Sequence, residues 1–539
     1  MTSSSSNSKR FRNALVLAAV VIASTADVTR LDDDGTAPPD GIMKTAMTLS
    51  SLAASAARAT GNRSDVVEHW TISRSGETGT EAIVRHGSDI RVDETLGTMH
   101  FARGAYRGVA WHQTPNGAVV RDAGIHQRSD VDAHALRRLA GPGVSLLGEV
   151  SNPARAYVVR VDPPNGRLEY AFYDASTFQM NRLEASRSGT RVITTFSDFR
   201  SSNGVTVAWH VHTTVTRTGT EEDEQLQSIA VDTPIEDRAL AIPSQASDLT
   251  APSYPDKLPA KILSDRIIVT AKIGGRPMNL QLDSGAAVIL INDDVIRASG
   301  IPVSGKRTQT MAGNYTIADA KIPQLTIGNL TMHDVAVSAA PFEEWADDKT
   351  VVAGLLGFDF IDQAVLHIDY TAGTVEALDP STFNPPGDAA PISIALDDNV
   401  PAVAASIGKS IGTRFILDTG ADRSALYSQF VAAHRTDVVD QGLGTQLRDA
   451  WPFETQFQGV GGKISYRPVQ VGPFAFAQRT FPQWLFDATV DAASFEDEDI
   501  DGLIGQDVLR YFDIYLDYPH GKIWAVPNAR YRDRWGTRR

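Results

Sequence analysis

The chain has 539 residues, with 50 Lys and Arg against 65 Asp and Glu, and a formal net charge of -15. At roughly 100–200 residues per domain the length predicts several folding units, and the acidic balance argues against a protein that binds nucleic acid through a basic face. The sequence contains no cysteine, which excludes disulfides, a thiol nucleophile and thiolate metal sites.

Residues 1–26 have the pattern of a secretory signal peptide. Three basic side chains precede an apolar run over residues 14–23, and small residues follow at 24–26. We expect cleavage after Ala26 and a secreted mature chain without a transmembrane segment. A bacterial periplasm or the cell exterior is favoured, because secreted eukaryotic domains usually carry disulfides.

The region 40–235 is predicted to be an antiparallel β-domain with one helix. Residues 43–59 have loose helical periodicity, and beyond them short apolar runs alternate with turns such as Pro-Asn-Gly and Ser-Asn-Gly. Strands are expected at 167–172, 190–196 and 205–215.

Three histidines in this region are candidate ligands of a hydrolytic metal. His210 and His212 lie two residues apart on one predicted strand, and His112 is the other candidate. No further ligand follows at motif spacing, so no metal and no cofactor are predicted.

This region resembles the bacterial periplasmic lipoprotein-carrier and outer-membrane lipoprotein-sorting domains, in which a curved sheet wraps a helix. The resemblance is carried by the arrangement of short segments, among them 108–111, 168–173 and 197–200. It implies a hydrophobic concavity for an acyl chain or a peptide, so a lipid or lipoprotein partner is one expectation and a purely structural β-domain is the other.

Residues 236–259 are rich in Pro, Ser, Ala and Asp and lack periodicity, which is typical of an interdomain linker. A mobile linker would offer a cleavage site. Whether the preceding domain is removed as a propeptide is left open by the sequence.

Beyond the linker the chain repeats itself. An Asp-Ser/Thr-Gly triplet occurs at 283–285 and 418–420, and a Gly-Leu-Leu/Ile-Gly element occurs at 354–357 and 502–505. The repeat predicts two tandem units, residues 260–380 (lobe 1) and 390–530 (lobe 2).

Each triplet follows an apolar run of strand type, so Asp283 and Asp418 are each expected at the end of a strand. Glycine permits close approach of a second backbone, and a hydroxyl can donate to a neighbouring loop, so the two loops can meet. Two carboxylates in contact share one proton and provide an acid and a base together. Such a pair can activate water without a metal.

Residues from about 255 to 530 resemble the retropepsin-like and pepsin-like aspartic proteases in a single-chain, two-lobed form. The resemblance implies two catalytic aspartates, two hydroxyl residues that brace the loops and two motif glycines: Asp283, Asp418, Ser284, Thr419, Gly285 and Gly420. The expected fold class is therefore mainly β, with the N-terminal antiparallel β-domain and its helix followed by a bilobal aspartic-protease fold.

The same family carries a glycine-rich flap over its cleft, for which the candidates are Gly313, Tyr315 and Gly461. Of the readings for Tyr315, an exposed hairpin residue is favoured over a hydroxyl above the cleft. Asp359 and Asp507, which follow the two glycine elements, are expected to cap the next helix.

The leading hypothesis is a secreted aspartic endopeptidase that acts on peptide or protein substrates through the Asp283/Asp418 pair. Two alternatives stay open: a catalytically inactive protease-fold scaffold, and a carrier that binds lipid or lipoprotein. No phosphate loop, dinucleotide fingerprint or Gly-x-Ser-x-Gly elbow is present.

Overall fold

The computed structural model describes residues 37–61, 65–122, 139, 141–163, 167–187, 190–216, 218–245, 249–251, 253–263, 266–310, 314–342, 344–346, 348–438, 455–459, 462–489 and 500–536. The signal peptide expected at 1–26 lies outside these residues. The prediction of a mainly β fold is confirmed. Within the described ranges, no helix is both long and apolar enough to cross a bilayer.

The N-terminal region forms one sheet of thirteen strands, called the first sheet below. Its order is β6-β5-β4-β3-β2-β1-β13-β12-β11-β10-β9-β8-β7, so chain neighbours pair throughout and β1 pairs with β13. The strands are β1 Asp65–Arg74, β2 Glu77–His86, β3 Asp89–Leu96, β4 Met99–Tyr106, β5 Val109–Gln113, β6 Val119–Arg121, β7 Val144–Val150, β8 Ala156–Val161, β9 Glu169–Asp174, β10 Met180–Arg187, β11 Thr190–Ser202, β12 Val205–Val215 and β13 Thr220–Val231.

One helix, α1 (Leu49–Thr60), packs on this sheet. The Thr48 side chain accepts a hydrogen bond from the Ser51 N–H and caps the helix. Leu52 and Ala56, one turn apart, are buried in the same apolar cluster as the inward side chains of the sheet. The N-terminal region is therefore a sheet with its helix, as the sequence predicts.

The segment 236–259 contains three short elements. Helix α2 (Asp237–Leu240) stays near the first sheet, where Asp237 accepts hydrogen bonds from Tyr106 and Arg107. Strands β14 (Leu249–Thr250) and β15 (Asp256–Lys257) pair instead with strands of lobe 1.

Lobe 1 contains a nine-stranded sheet that includes β14 and runs β14-β22-β19-β25-β18-β17-β21-β20, with β16 beside β17. Its remaining strands are β16 Ala260–Ile262, β17 Ile267–Ile273, β18 Arg276–Leu282, β19 Leu290–Asn292, β20 Val303–Thr310, β21 Asn314–Ile327, β22 Leu330–Ala340 and β25 Gly354–Leu356, and a separate pair is β23 Glu344–Trp345 with β24 Val351–Val352. The helices are α3 Asp293–Ala298 and α4 Phe358–Ile361.

Lobe 2 contains a ten-stranded sheet, β33-β34-β37-β32-β38-β31-β30-β35-β36, with β29 beside β30. Its strands are β29 Ala395–Asp397, β30 Val400–Ile407, β31 Ser410–Leu417, β32 Ala425–Leu426, β33 Thr455–Gly459, β34 Gly462–Val471, β35 Phe474–Phe476, β36 Arg479–Phe481, β37 Trp484–Thr489 and β38 Gly502–Ile504. The helices are α5 Ser428–Ala433, α6 Arg435–Val438, α7 Gln506–Leu509 and α8 Ala529–Trp535.

The two lobe sheets follow the same path. In lobe 1 the path β17-β18-β25-β19-β22 has parallel pairs at β18/β25 and β19/β22. In lobe 2 the path β30-β31-β38-β32-β37 has parallel pairs at β31/β38 and β32/β37. The internal repeat of the sequence is thus a repeat of sheet topology.

A third sheet joins the lobes in the order β15-β27-β26-β39-β40-β28. Its further strands are β26 Val365–Asp369, β27 Thr374–Leu378, β28 Ala390–Ser393, β39 Phe512–Asp517 and β40 Lys522–Pro527. The lobes meet where β26 pairs with β39, with Leu366 opposite Leu516.

The hairpin of β5 and β6 reaches from the first sheet into the lobes. Ala118 is 0% and Val120 is 2% exposed, and both belong to the apolar cluster of the two lobes rather than to that of the first sheet. Between the strands, the Asn116 side chain donates to the Ala336 carbonyl at 2.9 Å and accepts from its N–H at 2.7 Å. The hairpin therefore contributes to the apolar core of the lobes and is hydrogen-bonded to lobe 1.

Candidate active site

The two aspartates of the repeat occupy equivalent positions. Asp283 directly follows β18, and its N–H donates to the Leu356 carbonyl of β25 at 3.1 Å. Asp418 directly follows β31, and its N–H donates to the Ile504 carbonyl of β38 at 2.9 Å. In each lobe the glycine element therefore supports the loop that carries the aspartate.

The hydroxyl residues lock the two loops together. The Ser284 N–H donates to Thr419 Oγ1 at 3.0 Å, and the Thr419 N–H donates to Ser284 Oγ at 2.9 Å. Ser284 Oγ also donates to the Leu417 carbonyl at 2.6 Å, and Thr419 Oγ1 donates to the Leu282 carbonyl at 3.0 Å. Each hydroxyl therefore satisfies backbone groups of the opposite lobe.

The motif glycines bring the carboxyl groups side by side. A Cβ at Gly285 would lie 2.7 Å from Asp418 Cγ, and one at Gly420 would lie 2.3 Å from Asp283 Cγ. These distances are shorter than real Cβ contacts, so only glycine admits the opposite carboxyl. The glycine N–H groups also donate to the aspartate of their own loop, at 2.9 Å to Asp283 Oδ1 and 2.7 Å to Asp418 Oδ1.

Burial controls the protonation of the pair. Asp283 is 0% and Asp418 is 1% exposed. Burial raises the pKa of Asp418, against the opposing effects of the Gly420 N–H and of Asp283. Since two touching carboxylates cannot both ionise cheaply in a buried site, the pair holds one proton over a range of pH.

Two buried glutamines that sequence reasoning missed hold the second loop. Gln281 Nε2 donates to the Gly420 carbonyl, and Gln506 Nε2 donates to the Thr419 carbonyl, both at 2.7 Å. The other copy of the repeat has apolar residues, Ile416 and Phe358, at the corresponding positions. That difference between the copies is the signal that could have identified them.

Tyr315 is not an exposed hairpin residue, so that prediction was wrong. Its side chain is 8% exposed and packs in an apolar cluster with Ile317 and with Ala286 and Ala421, which follow the two aspartates by three residues. Burial raises the pKa of Tyr315, and its hydroxyl has no hydrogen-bond partner among the described residues. The other flap candidates, Gly313 and Gly461, lie outside the described residues.

The expected capping role of Asp359 and Asp507 is also wrong. The N-cap residues of α4 and α7 are Gly357 and Gly505, and the aspartates lie within the first turn. Their side chains point into protein, where Asp359 is 2% exposed and Asp507 accepts hydrogen bonds from Ser424.

The candidate histidines do not converge. His210 and His212 on β12 both contact Asp223 Oδ1, at 3.1 and 3.0 Å. His112 lies on β5, which five other strands separate from β12 in the first sheet, and it bonds Asp122 and Asn399, both at 2.7 Å. The role of His112 is thus a contact between the first sheet and lobe 2.

Three solved structures are among those to which parts of the chain are similar. A solved LolA superfamily protein from Nitrosomonas europaea covers 36% of this chain and 98% of its own, with 15% identity and a TM-score of 0.30. A DUF1329 family protein from Desulfovibrio piger covers 36% and 99%, with 14% identity and a TM-score of 0.29. An aspartic proteinase from Irpex lacteus covers 51% and 98%, with 12% identity and a TM-score of 0.34.

No curated protein matches the chain. The family model described as aspartyl protease matches residues 269–360, which include the first Asp-Ser-Gly triplet and the first glycine element. The chain therefore contains an aspartyl protease family segment within lobe 1.

Proposed function

We propose that the chain is an aspartic endopeptidase that hydrolyses peptide bonds in peptides or proteins. One observation carries the proposal: reciprocal bonds between Ser284 and Thr419 hold buried Asp283 and Asp418 side by side. A scaffold has no need for two buried carboxyl groups in contact, because such groups are costly to bury.

The chemistry follows from the shared proton. The ionised carboxyl takes a proton from a water molecule held by the pair, and the water oxygen bonds to the substrate carbonyl carbon. The protonated carboxyl donates its proton to the carbonyl oxygen, which gives a neutral tetrahedral diol. The pair then gives its proton to the amide nitrogen and takes one from a diol hydroxyl as the C–N bond breaks. The products are an amine and a carboxylic acid, and one proton remains on the pair.

The proposal includes export to a bacterial periplasm or the exterior. Its support is the signal-like pattern of residues 1–26. The lipid or lipoprotein partner implied by the resemblance of the N-terminal region is a separate question, which the experiment below addresses.

The test is cleavage of a mixed peptide library, read by mass spectrometry from about pH 3 to 8. Wild type is compared with Asp283→Asn and Asp418→Asn, and with Asp334→Asn, an exposed position outside the site. We expect wild type and the control to produce the same cuts and each dyad variant to lose them. The descending limb of the pH profile should lie above the usual aspartic acid pKa of about 3.9, because burial raises the pKa of Asp418.

If none of the four folded proteins cleaved any peptide of the library, the proposal would be contradicted. A scaffold or carrier would then be the better account, and lipid extracted by solvent from the purified protein would favour the carrier. Cleavage that survives in both dyad variants would instead indicate a contaminating protease.

A further inference from the structure

A cavity of about 290 Å³ lies between the first sheet and lobe 1. Side chains of the first sheet give it an apolar wall that includes Leu96, Met99 and Phe101. Lobe 1 closes it with residues of β20 and β22 and with Asp359. Its size is near the lower end of small-ligand pockets, roughly 300 Å³.

One carboxylate in this cavity has no partner in the part of the chain that the structure describes. Glu77, the first residue of β2, is 9% exposed, and among the described residues no hydrogen bond or ion pair involves its side chain. Glycines flank the carboxylate on both sides: a Cβ at Gly97 would lie 2.2 Å from Glu77 Oε1, and one at Gly305 would lie 2.5 Å from Oε2. Burial of an unpaired carboxylate is costly in free energy. The presence of Glu77 at this position therefore points to a bound ligand that pairs with its carboxylate.

The cations of the cavity wall are already paired. Arg74 donates to Glu94 at 2.6 Å and to Glu222 at 2.7 Å. Arg307 binds both oxygens of Asp319, at 2.8 and 3.0 Å. Neither guanidinium is therefore spare for Glu77.

The wall instead carries further carboxyl groups. A Cβ at Gly305 would lie 3.1 Å from Asp319 Oδ2, so the carboxylates of Asp319 and Glu77 face each other across this glycine. Asp359 Oδ1 has no hydrogen-bond partner among the described residues. The cavity thus combines an apolar wall with an excess of carboxylate.

We propose that this cavity binds a ligand with an ammonium or guanidinium group on a short aliphatic stem, with the cation at the Glu77 carboxylate. A lysine or arginine side chain has this chemistry, because its stem packs on apolar surface while its head donates several hydrogen bonds. Binding here goes beyond the peptidase reaction and does not depend on it.

The test is calorimetric titration of the intact chain with Nα-acetyl-lysine methylamide. The norleucine counterpart has a similar stem without the ammonium group. We expect wild type to bind the lysine probe at least tenfold more tightly than the norleucine probe, and Glu77→Gln to abolish that difference. The matched control, Glu221→Gln, changes an exposed carboxylate on β13 and should bind like wild type.

Circular dichroism checks that Glu77→Gln is folded, and Glu77→Asp is the second variant. Aspartate keeps the charge but withdraws it by one methylene, so it should weaken binding without removing the preference for lysine. Equal binding of both probes to wild type, or an unchanged preference in folded Glu77→Gln, would overturn the proposal.

Two further probes identify the source of the cation. Cadaverine represents a free amine, and a Gly-Ser peptide with one central lysine represents a side chain of a polypeptide. Tighter binding of one of them assigns the source, whereas no binding of either would contradict the site.

Discussion

In lobe 2 the aspartate after the glycine element accepts hydrogen bonds from a residue of the same lobe, whereas in lobe 1 the polar side chains that face the equivalent aspartate belong to the first sheet. In lobe 2, Ser424 donates to Asp507 Oδ1 through its N–H at 2.9 Å and its hydroxyl at 2.7 Å. In lobe 1 the position of Ser424 is held by Ile289, and the polar side chains that face Asp359 are Asn116 and Thr114 of the β5–β6 hairpin.

The difference explains why the halves cannot be treated as a protease with a separate appendage. Asn116 also exchanges two hydrogen bonds with Ala336, and Ala118 and Val120 fill the core of the lobes. Removing the first sheet would therefore expose the buried carboxyl of Asp359 in lobe 1 and apolar core of the lobes, and it would remove the contact of His112 with Asn399 of lobe 2. The two copies of the repeat share the aspartates, hydroxyl residues and glycines of the dyad, and they differ in the residues that surround Asp359 and Asp507.

The largest effect is expected on activity, at the glycines of the two Asp-Ser/Thr-Gly triplets, where the lobes are most alike. Gly285→Ala and Gly420→Ala each push a Cβ into the opposite carboxyl, and a misplaced catalytic group costs about 10²-fold or more in kcat/KM. Gly420→Ala should be the more damaging, since its Cβ would lie closer to the carboxyl carbon. Steady-state kinetics on a library-derived peptide measures both, with Gly387→Ala, where a Cβ meets nothing, as the control. An active Gly420→Ala enzyme would disprove the side-by-side arrangement.

The next largest effect is expected on stability, at Asp359, whose carboxyl lies where lobe 1 meets the first sheet. Burial raises the pKa of Asp359 to about 6, against the polar groups of Asn116, Ile289 and Thr114. A carboxyl whose pKa is raised on folding destabilises the protein when it ionises, so its contribution is favourable at low pH and is lost as pH rises through about 6. The shift corresponds to roughly 3 kcal/mol, and urea unfolding should show Asp359→Asn gaining that much over wild type between about pH 4 and 8. If the free energies of unfolding of wild type and Asp359→Asn changed in parallel with pH, the prediction would be contradicted.

A smaller effect is expected when Asn116, which faces Asp359, or Ser424, which donates to Asp507, is replaced. Asn116→Ala removes two buried hydrogen bonds and should cost about 2 kcal/mol, with faster amide exchange along β22. Ser424→Ala should cost a similar amount but speed exchange in β38 and α7 instead. Exchange measured by mass spectrometry distinguishes the two, and Asn384→Ala, at an exposed site, serves as the control. If amide exchange rose equally in both lobes for either variant, the two lobes would not differ in this way.

The smallest effect belongs to His112, which joins the hairpin to lobe 2. Burial opposes its charge, but the hydrogen bond and charge of Asp122, with Asp398 and Asn399 nearby, outweigh burial and raise the pKa of His112. The stabilisation is therefore present below the unfolded value of about 6.5 and is lost as pH rises through the raised value. His112→Gln should cost about 1 kcal/mol near pH 5.5 and less near pH 9, measured by urea unfolding. A cost that grows with pH would reverse the assignment.

Features encoded locally could be predicted from the sequence. The triplets and glycine elements identify the aspartates, their braces and the repeat, because the residues that make one loop lie within a few positions of one another. Alternating apolar runs and turn residues similarly indicate the strands of the first sheet, including Val205–Val215 with the predicted bounds.

Features that depend on distant segments could not be predicted. Asn116 is 220 positions from Ala336, and no pattern within the hairpin indicates that its turn enters another core. Tyr315 was misjudged for the same reason, since the side chains that bury it come from both lobes. The sequence around Asp359 is typical of a residue that caps a helix, but its side chain faces Asn116 and Thr114 of the hairpin from the first sheet.

The hairpin of Val109–Gln113 and Val119–Arg121 has a consequence for the order of biosynthesis. It leaves the ribosome before any of lobe 1, and domains made first generally fold first. Lobe 1 is thus synthesised when the hairpin that packs against it is already in place. A circular permutant that began at residue 249 would keep every contact but present lobe 1 to the cell with its core open, and it would need a chaperone at that stage.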